Sequence, residues 1–182
     1  SRGLGDVYKR QVWDGKDRIR GLARTVPCNN PHWVELFHRW FLNMVVHWRG
    51  TDTKYANNVS PLLVGEQGCR KSTFCRSIIP PAIRAYYTDS IDFSRKRDAE
   101  LYLNRFALIN IDEFDQVSIN QQGFLKHLLQ KPVANLRKPY GSSIQEMRRY
   151  ASFIGTSNQK DLLTDPSGSR RFICIEVTAP ID

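Results

Sequence analysis

Residues 65–73 read GEQGCRKST. A glycine, four free positions, then Gly-Lys and Ser or Thr is the pattern of a loop that cradles phosphates with backbone N–H groups. Gly65, Lys71 and Ser72 occupy three of its fixed positions, and Arg70 stands where the glycine before the lysine belongs. In such a loop the lysine neutralises β and γ phosphate oxygens and the hydroxyl ligates Mg²⁺. Gly65, Glu66, Gln67, Gly68, Cys69, Arg70, Lys71, Ser72 and Thr73 are therefore the expected ATP-binding set. Further along, FALINIDEFD carries Asp112 and Glu113 to the end of an apolar run. Asp112 would hold the metal with Ser72, and Glu113 would activate the attacking water. Alone, that acid pair reads as a solvated turn. Following a phosphate loop in this order, it reads as the second half of a nucleoside triphosphate site.

Two further elements suit the same chemistry. FIGTSN ends an apolar run on Asn158, which could orient the attacking water. Arg170 and Arg171 follow DPSGS, where one of them could stabilise charge on the transferring phosphoryl group. Separately, a strand ending in Asn is a turn and two adjacent arginines are surface charge. The departure at Arg70 is expected to be tolerated. It lies at a helix start, where ordinary helical angles are open to any residue, and Gly65 and Gly68 remain for the unusual dihedrals of the turn. Its side chain would then swing outward or add positive charge near the nucleotide.

These residues need a scaffold. NVSPLLVGEQG predicts a short buried strand entering the loop, and KSTFCRSII a helix that Pro80 and Pro81 end. RKRDAELYLNRF and SINQQGFLKHLLQK predict helices, with FALINI a buried strand between them. VANLRKPYGSSIQEMRRY reads as a basic hairpin leading into the strand of FIGTSN, and SRRFICIEV is a last strand. Strands alternating with helices imply an α/β fold with a mostly parallel sheet covered on both faces. Upstream, Trp33, Phe37, Trp40, Phe41, Met44, Val45 and Trp48 recur at helical spacing, with Asn30 as cap, Pro31 at the first helical position and Gly50 at the end. That stripe is a packing face. His32, His38 and His47 lack the spacing of a metal pair and read as surface residues. Residues 12–30 are polar and poor in pattern and read as a loop or the remnant of an upstream domain. The divisions expected are residues 12–58, an N-terminal helical region, and 59–182, the ATPase core.

The 182 residues carry a net charge of +9. The opening SRGLGDVYKRQ, residues 1–11, resembles the in-frame translation of a sequencing-library adapter and is set aside from the fold. It holds three cations and one anion, so the remainder stays at +7. A basic chain favours a polyanionic partner, nucleic acid before membrane. Cys28, Cys69, Cys75 and Cys174 form no CxxC pair and have no accompanying histidine cluster, which argues against zinc or a disulfide framework and for reduced thiols in a cytoplasmic protein. No apolar run is long enough to span a bilayer.

Residues from about 59 to 178 resemble the virulence-associated protein E family, mobile-element and phage proteins related to superfamily 3 helicases of the AAA+ class. The resemblance rests on GEQGCRKSTF, INIDEFD, RKPYG and FIGTSNQKDLLTDPSGSRRF, in that order. It implies an AAA+ type P-loop NTPase core, a hexameric ring working on single-stranded or forked DNA, and a primase-type region upstream. It also implies a channel-lining hairpin between the acidic strand and the FIGTSN strand. Arg137, Lys138, Tyr140, Arg148 and Arg149 lie there, cations with an interleaved aromatic that suit a single strand. A solvated hairpin touching only a neighbouring subunit is the competing account. By the same resemblance Arg170 or Arg171 would serve the nucleotide of the adjacent subunit. The leading expectation is a DNA-dependent ATPase driving a replicative helicase. An AAA+ switch that binds DNA without unwinding it is the alternative, and a small-molecule kinase with a phosphate loop is a third.

Overall fold

The structure is a computed structural model that describes residues 12–51, 54–137, 143–163 and 171–182. Helix α1 (Arg18–Arg24) opens it, in a stretch expected to be loop. The sequence signal is small but real: the Asp17 carboxylate accepts from the N–H of Arg20 and caps the first turn. Helix α2 (Trp33–Arg49) buries Trp33, Phe37, Trp40, Met44 and His47 along one face. It starts two residues later than expected. Asn30 accepts the N–H of His32 through its side chain and that of Trp33 through its carbonyl, so Pro31 sits in the turn before the helix. Gly50 ends it in a left-handed conformation. The Trp33 indole donates to Ala23 O at 2.8 Å, which docks α1 on α2. His47 departs from the surface position expected of it. It is buried, and its Nε2 accepts from Asn57 N at 3.0 Å.

The sheet contains β1 (Ser60–Val64), β2 (Tyr87–Thr88), β3 (Leu108–Ile111), β6 (Ser152–Ser157) and β7 (Phe172–Glu176), in the order β2-β3-β6-β1-β7. Every pairing is parallel. Helix α3 (Lys71–Ser77) follows β1, α4 (Lys96–Arg105) precedes β3, and α5 (Ile119–Gln130) follows β3. Along β1 alternate side chains enter opposite cores. Leu63 joins Phe37, Met44, Phe74 and Ile154 beneath α2 and α3, whereas Leu62 and Val64 join Leu103, Ile109, Leu125 and Phe153 beneath α4 and α5. Helices cover both faces, which is why β1, β3 and β6 are buried from end to end. Among the strands of the described residues, only β2, two residues long at the sheet edge, had no signature in the sequence. Among the described residues no helix is long and apolar enough to cross a membrane.

The second sheet is the expected hairpin, β4 (Val133–Arg137) antiparallel to β5 (Ile144–Arg148). Helix α5 enters it from a capping box in which Ser118 and Gln121 exchange side-chain and backbone bonds. Glu100 on α4 accepts from Asn135 N and pairs with Lys131, tying the hairpin base to the body. Arg149 was expected to face DNA, and the structure corrects this. Its side chain is 2% exposed. Its guanidinium donates to Leu128 O, Leu129 O and Lys131 O at 2.7–3.0 Å and to Ala151 O at 2.8 Å. Burial pushes its pKa down, and no carboxylate is among these partners. The carbonyls that end α5 solvate the cation instead, at the negative end of a helix. A guanidinium, with five donors in a fixed fork, is the side chain that can serve so many acceptors.

Arg149→Met should therefore lower the unfolding free energy by about 3 kcal/mol or more, because it strands several buried carbonyls. Arg148→Met, at an exposed neighbour, should stay within about 0.5 kcal/mol. Urea unfolding of the two variants checks the contrast, and equal losses would contradict it.

Candidate functional site

In a parallel sheet the carboxyl ends of the strands share one edge, and ligands enter the crevice outside it. Here β6 lies between β1 and β3, so the segments that follow all three strands meet there. The cleft they form has a volume of about 410 Å³ and takes its walls from Gln67, Gly68, Arg70, Lys71, Ser72 and Thr73, from Asp112 and Glu113, and from Thr156, Ser157 and Asn158. Glu66 and Cys69 complete the loop, with Cys69 buried beneath it.

The loop is shaped by two glycines and one residue that is not a glycine. A Cβ on Gly65 would stand 2.8 Å from Val177 O, so only glycine lets β1 turn this close to the chain after β7. Gly68 has φ +88°. Arg70 has φ +60° and ψ +26°, the left-handed region, directly before α3. The expectation of ordinary helical angles is thus wrong: the position where the motif carries glycine does demand a glycine-like conformation, and an arginine adopts it. Its side chain runs along the cleft wall, and Nη1 lies 3.4 Å from Ile181 O.

Lys71, the first residue of α3, is 6% exposed. Its ammonium donates to Gly65 O at 2.8 Å, Glu66 O at 2.7 Å and Asn158 Oδ1 at 2.9 Å. Burial lowers its pKa, and the negative charge of Asp112 works in the opposite direction. One residue on, Ser72 Oγ donates to Asp112 Oδ1 at 2.9 Å. The same oxygen accepts from Thr156 Oγ1. Ser157 Oγ donates to Asp115 Oδ1 at 2.7 Å. Thr156, Ser157 and Asp115 were not singled out from the sequence. Two hydroxyl residues in succession at the end of a buried apolar strand, with a second aspartate close behind Asp112, were the available signal. Glu113 is exposed beside the cleft with φ +51°.

Lys71, Ser72, Asp112, Glu113 and Asn158 are therefore brought together. Arg171 is not. Its carbonyl accepts from Ser60 N at 2.7 Å, at the amino edge of the sheet, a strand length from the cleft of its own chain. Arg148 lies at the hairpin base near that same edge, its guanidinium against Gly50. The Arg137 side chain, Lys138, Tyr140 and Arg170 lie outside the described residues.

The model of the virulence-associated protein E-like domain matches residues 8–182. The chain belongs to that family. No curated protein matches it. Among solved structures, this family member is similar to PCH-2 of C. elegans, with 13% identity, a TM-score of 0.51, and coverage of 91% of this chain and 48% of that one. It also matches the C terminal region (305-718) of NrS-1 at 18% identity and a TM-score of 0.47, covering 87% of this chain and 41% of that one. At this identity the likeness to PCH-2 is one of fold alone. The virulence-associated E-like chain spans less than half the length of either structure.

The left-handed backbone at Arg70 makes its own prediction. A residue with a Cβ loses about 1–2 kcal/mol there, while glycine costs about 0.5–1 kcal/mol through the freedom it gains in the unfolded chain. Arg70→Gly should thus stabilise the fold by up to about 1 kcal/mol, and Arg70→Ala should not. Thermal unfolding of the three proteins tests this, and a destabilised glycine variant would show that the Arg70 side chain outweighs its backbone strain.

Proposed function

We propose that this chain is the nucleotide-hydrolysing core of a DNA-dependent ATPase of AAA+ type, the motor of a phage or mobile-element replicative helicase. The observation that carries the reading is the 2.9 Å bond from Ser72 Oγ to Asp112 Oδ1, which joins two motifs forty residues apart in sequence at one cleft. A hydroxyl and a carboxylate are hard oxygen donors of the kind Mg²⁺ takes, and that ion is usually held by one or two carboxylates with phosphates and waters completing its shell. Among the described residues no group of three or more His, Cys, Asp and Glu could hold a metal. The donor set thus fits an ion that arrives with its nucleotide. Mg²⁺ held by Ser72 and Asp112 would supply charge neutralisation at the phosphate oxygens.

The chain's own groups do the rest. Backbone N–H groups of the loop and the start of α3 face the phosphates, and Lys71 offers its positive charge to them. Glu113 takes the proton of the attacking water, and Asn158 holds that water in line. The backbone of Arg171 lies at the amino edge of the sheet, a strand length from the cleft of its own chain, which supports the expectation that it, or Arg170, completes the site of a neighbouring copy in a ring. The hairpin is the proposed DNA element through Arg137, Lys138, Tyr140 and Arg148, with Arg149 withdrawn from it. ATPase turnover measured with and without single-stranded DNA tests the reading. Stimulation supports a motor, whereas nucleotide-dependent DNA binding without stimulated turnover would favour a switch.

Two variant sets sharpen it. Lys71→Ala should abolish ATP binding by calorimetry, and Glu113→Gln should keep it while slowing turnover a hundredfold or more, since only the proton transfer is lost. Equal affinity in the lysine variant would remove the phosphate reading.

Thr156→Val keeps the shape of the buried side chain and deletes the hydroxyl that orients Asp112. It should raise the Mg²⁺ concentration needed for half-maximal turnover about tenfold, with the rate restored at high Mg²⁺. A fall in rate that no Mg²⁺ concentration recovers would mean that Thr156 acts elsewhere.

A further inference from the structure

An ammonium has three donors and no acceptor, and those of Lys71 are fully assigned to Gly65 O, Glu66 O and Asn158 Oδ1. Any anion that comes to Lys71 must take the place of one of these oxygens. The two carbonyls belong to a backbone with little freedom. Gly65 N is bonded to Ser157 O at 3.1 Å and its Cα faces Val177 closely, while Cys69 at the far side of the loop bonds Ile181 N. Asn158 is different, because its oxygen sits on an exposed side chain that turns about two single bonds. Its neighbours stay behind when it turns: Thr156 is fixed to Asp112, and the Ser157 hydroxyl both donates to Asp115 and accepts from Gln159 N at 3.1 Å.

We propose that Asn158 is a latch on Lys71, displaced from the ammonium by the incoming phosphate. This deepens the phosphate reading of the cleft and rests on it. The latched amide competes with the nucleotide for one donor, so the apparent affinity is the intrinsic affinity reduced by the fraction of molecules already unlatched. Displacement also turns the amide toward the phosphates, so that the group proposed to hold the attacking water becomes available only when a nucleotide is bound. A residue that merely orients water would leave ADP affinity unchanged when removed. A latch makes the opposite demand.

The test compares wild type, Asn158→Ala and Asn158→Asp in the full chain, with ADP as the first probe because it lacks the γ-phosphate that a water-orienting amide would meet. Asn158→Ala should bind ADP about tenfold more tightly, the scale of one lost charge-assisted competitor, while ATP turnover falls. Asn158→Asp should bind it more weakly, since a carboxylate in the same place holds Lys71 harder. An independent reading is the rate at which an amine-acylating reagent labels Lys71 with no nucleotide present, which should rise in Asn158→Ala. ADP binding by Asn158→Ala no tighter than wild type, or unchanged labelling, would overturn the latch. A wild-type chain that binds neither ADP nor ATP would overturn the phosphate reading and with it the latch, whereas a wild type that binds both and an Asn158→Ala variant that binds ADP no more tightly would overturn the latch alone.

Discussion

The insertion of β6 between β1 and β3, with every pairing parallel, is the constraint on which the rest of the molecule depends. An antiparallel β6 would send its last residues to the opposite edge and take Thr156, Ser157 and Asn158 away from the cleft. With this order, the strand that separates the loop from the acid pair also bonds to both. Thr156 holds Asp112, Ser157 holds Asp115, and Asn158 holds Lys71. Asp112 and Asp115 are thus oriented by the last two residues of β6, and the Lys71 ammonium is met by the exposed residue that follows the strand. A strand buried along its whole length and hydrogen-bonded on both sides is a stiff place from which to do so.

What the sequence made legible was the part set by period and punctuation. The apolar runs of β1, β3 and β6, the stripe of α2, the helix of α5 and the hairpin all have local signatures, and all formed. The chemistry-bearing ends of the strands were legible for the same reason, because a buried run that stops on a polar residue announces an edge. What was not legible depends on partners distant in sequence. Arg148 and Arg149 are neighbours of identical type, yet one is exposed and the other is sealed against the end of α5 by carbonyls that no motif records. His47 is buried because Asn57 supplies its partner. Helix α1 is too short to show a period and is held by docking onto α2.

The two edges of the sheet carry different work. The nucleotide chemistry proposed for the carboxyl edge and the hairpin at the amino edge are joined by β6, whose six residues span roughly 17 Å. At its amino end Arg149 bonds Ala151 O and the last carbonyls of α5, which fastens the hairpin base to the strand. At its carboxyl end Asn158 reaches Lys71. The hairpin and the cleft therefore share one buried element rather than a chain of surface contacts. A change at either end that shifts β6 is felt at the other.

Strain is distributed unevenly across this scaffold. Among the described residues only Arg70 and Glu113 have positive φ without being glycine, and both border the cleft. At about 1–2 kcal/mol each, the two together are a substantial part of the 5–15 kcal/mol that ordinarily separates a folded domain from its unfolded chain. Such conformations persist only where neighbours over-determine them. Both sites have such neighbours. Arg70 lies between Cys69, whose carbonyl accepts from Ile181 N, and Lys71, whose ammonium is held by three oxygens. Glu113 is followed by Phe114, buried and packed on Phe172 with ring centroids 4.7 Å apart. In both cases a strained residue stands beside an anchored one, so the backbone turns sharply while the chain around it stays fixed. The turn at Glu113 leaves its carboxylate beside the cleft instead of continuing the line of β3 into the core. The turn at Arg70 sets the start of α3, with Lys71, Ser72 and Thr73, against the same space. Relaxing either would ease the backbone and change the direction of a group on which the proposed nucleotide chemistry relies.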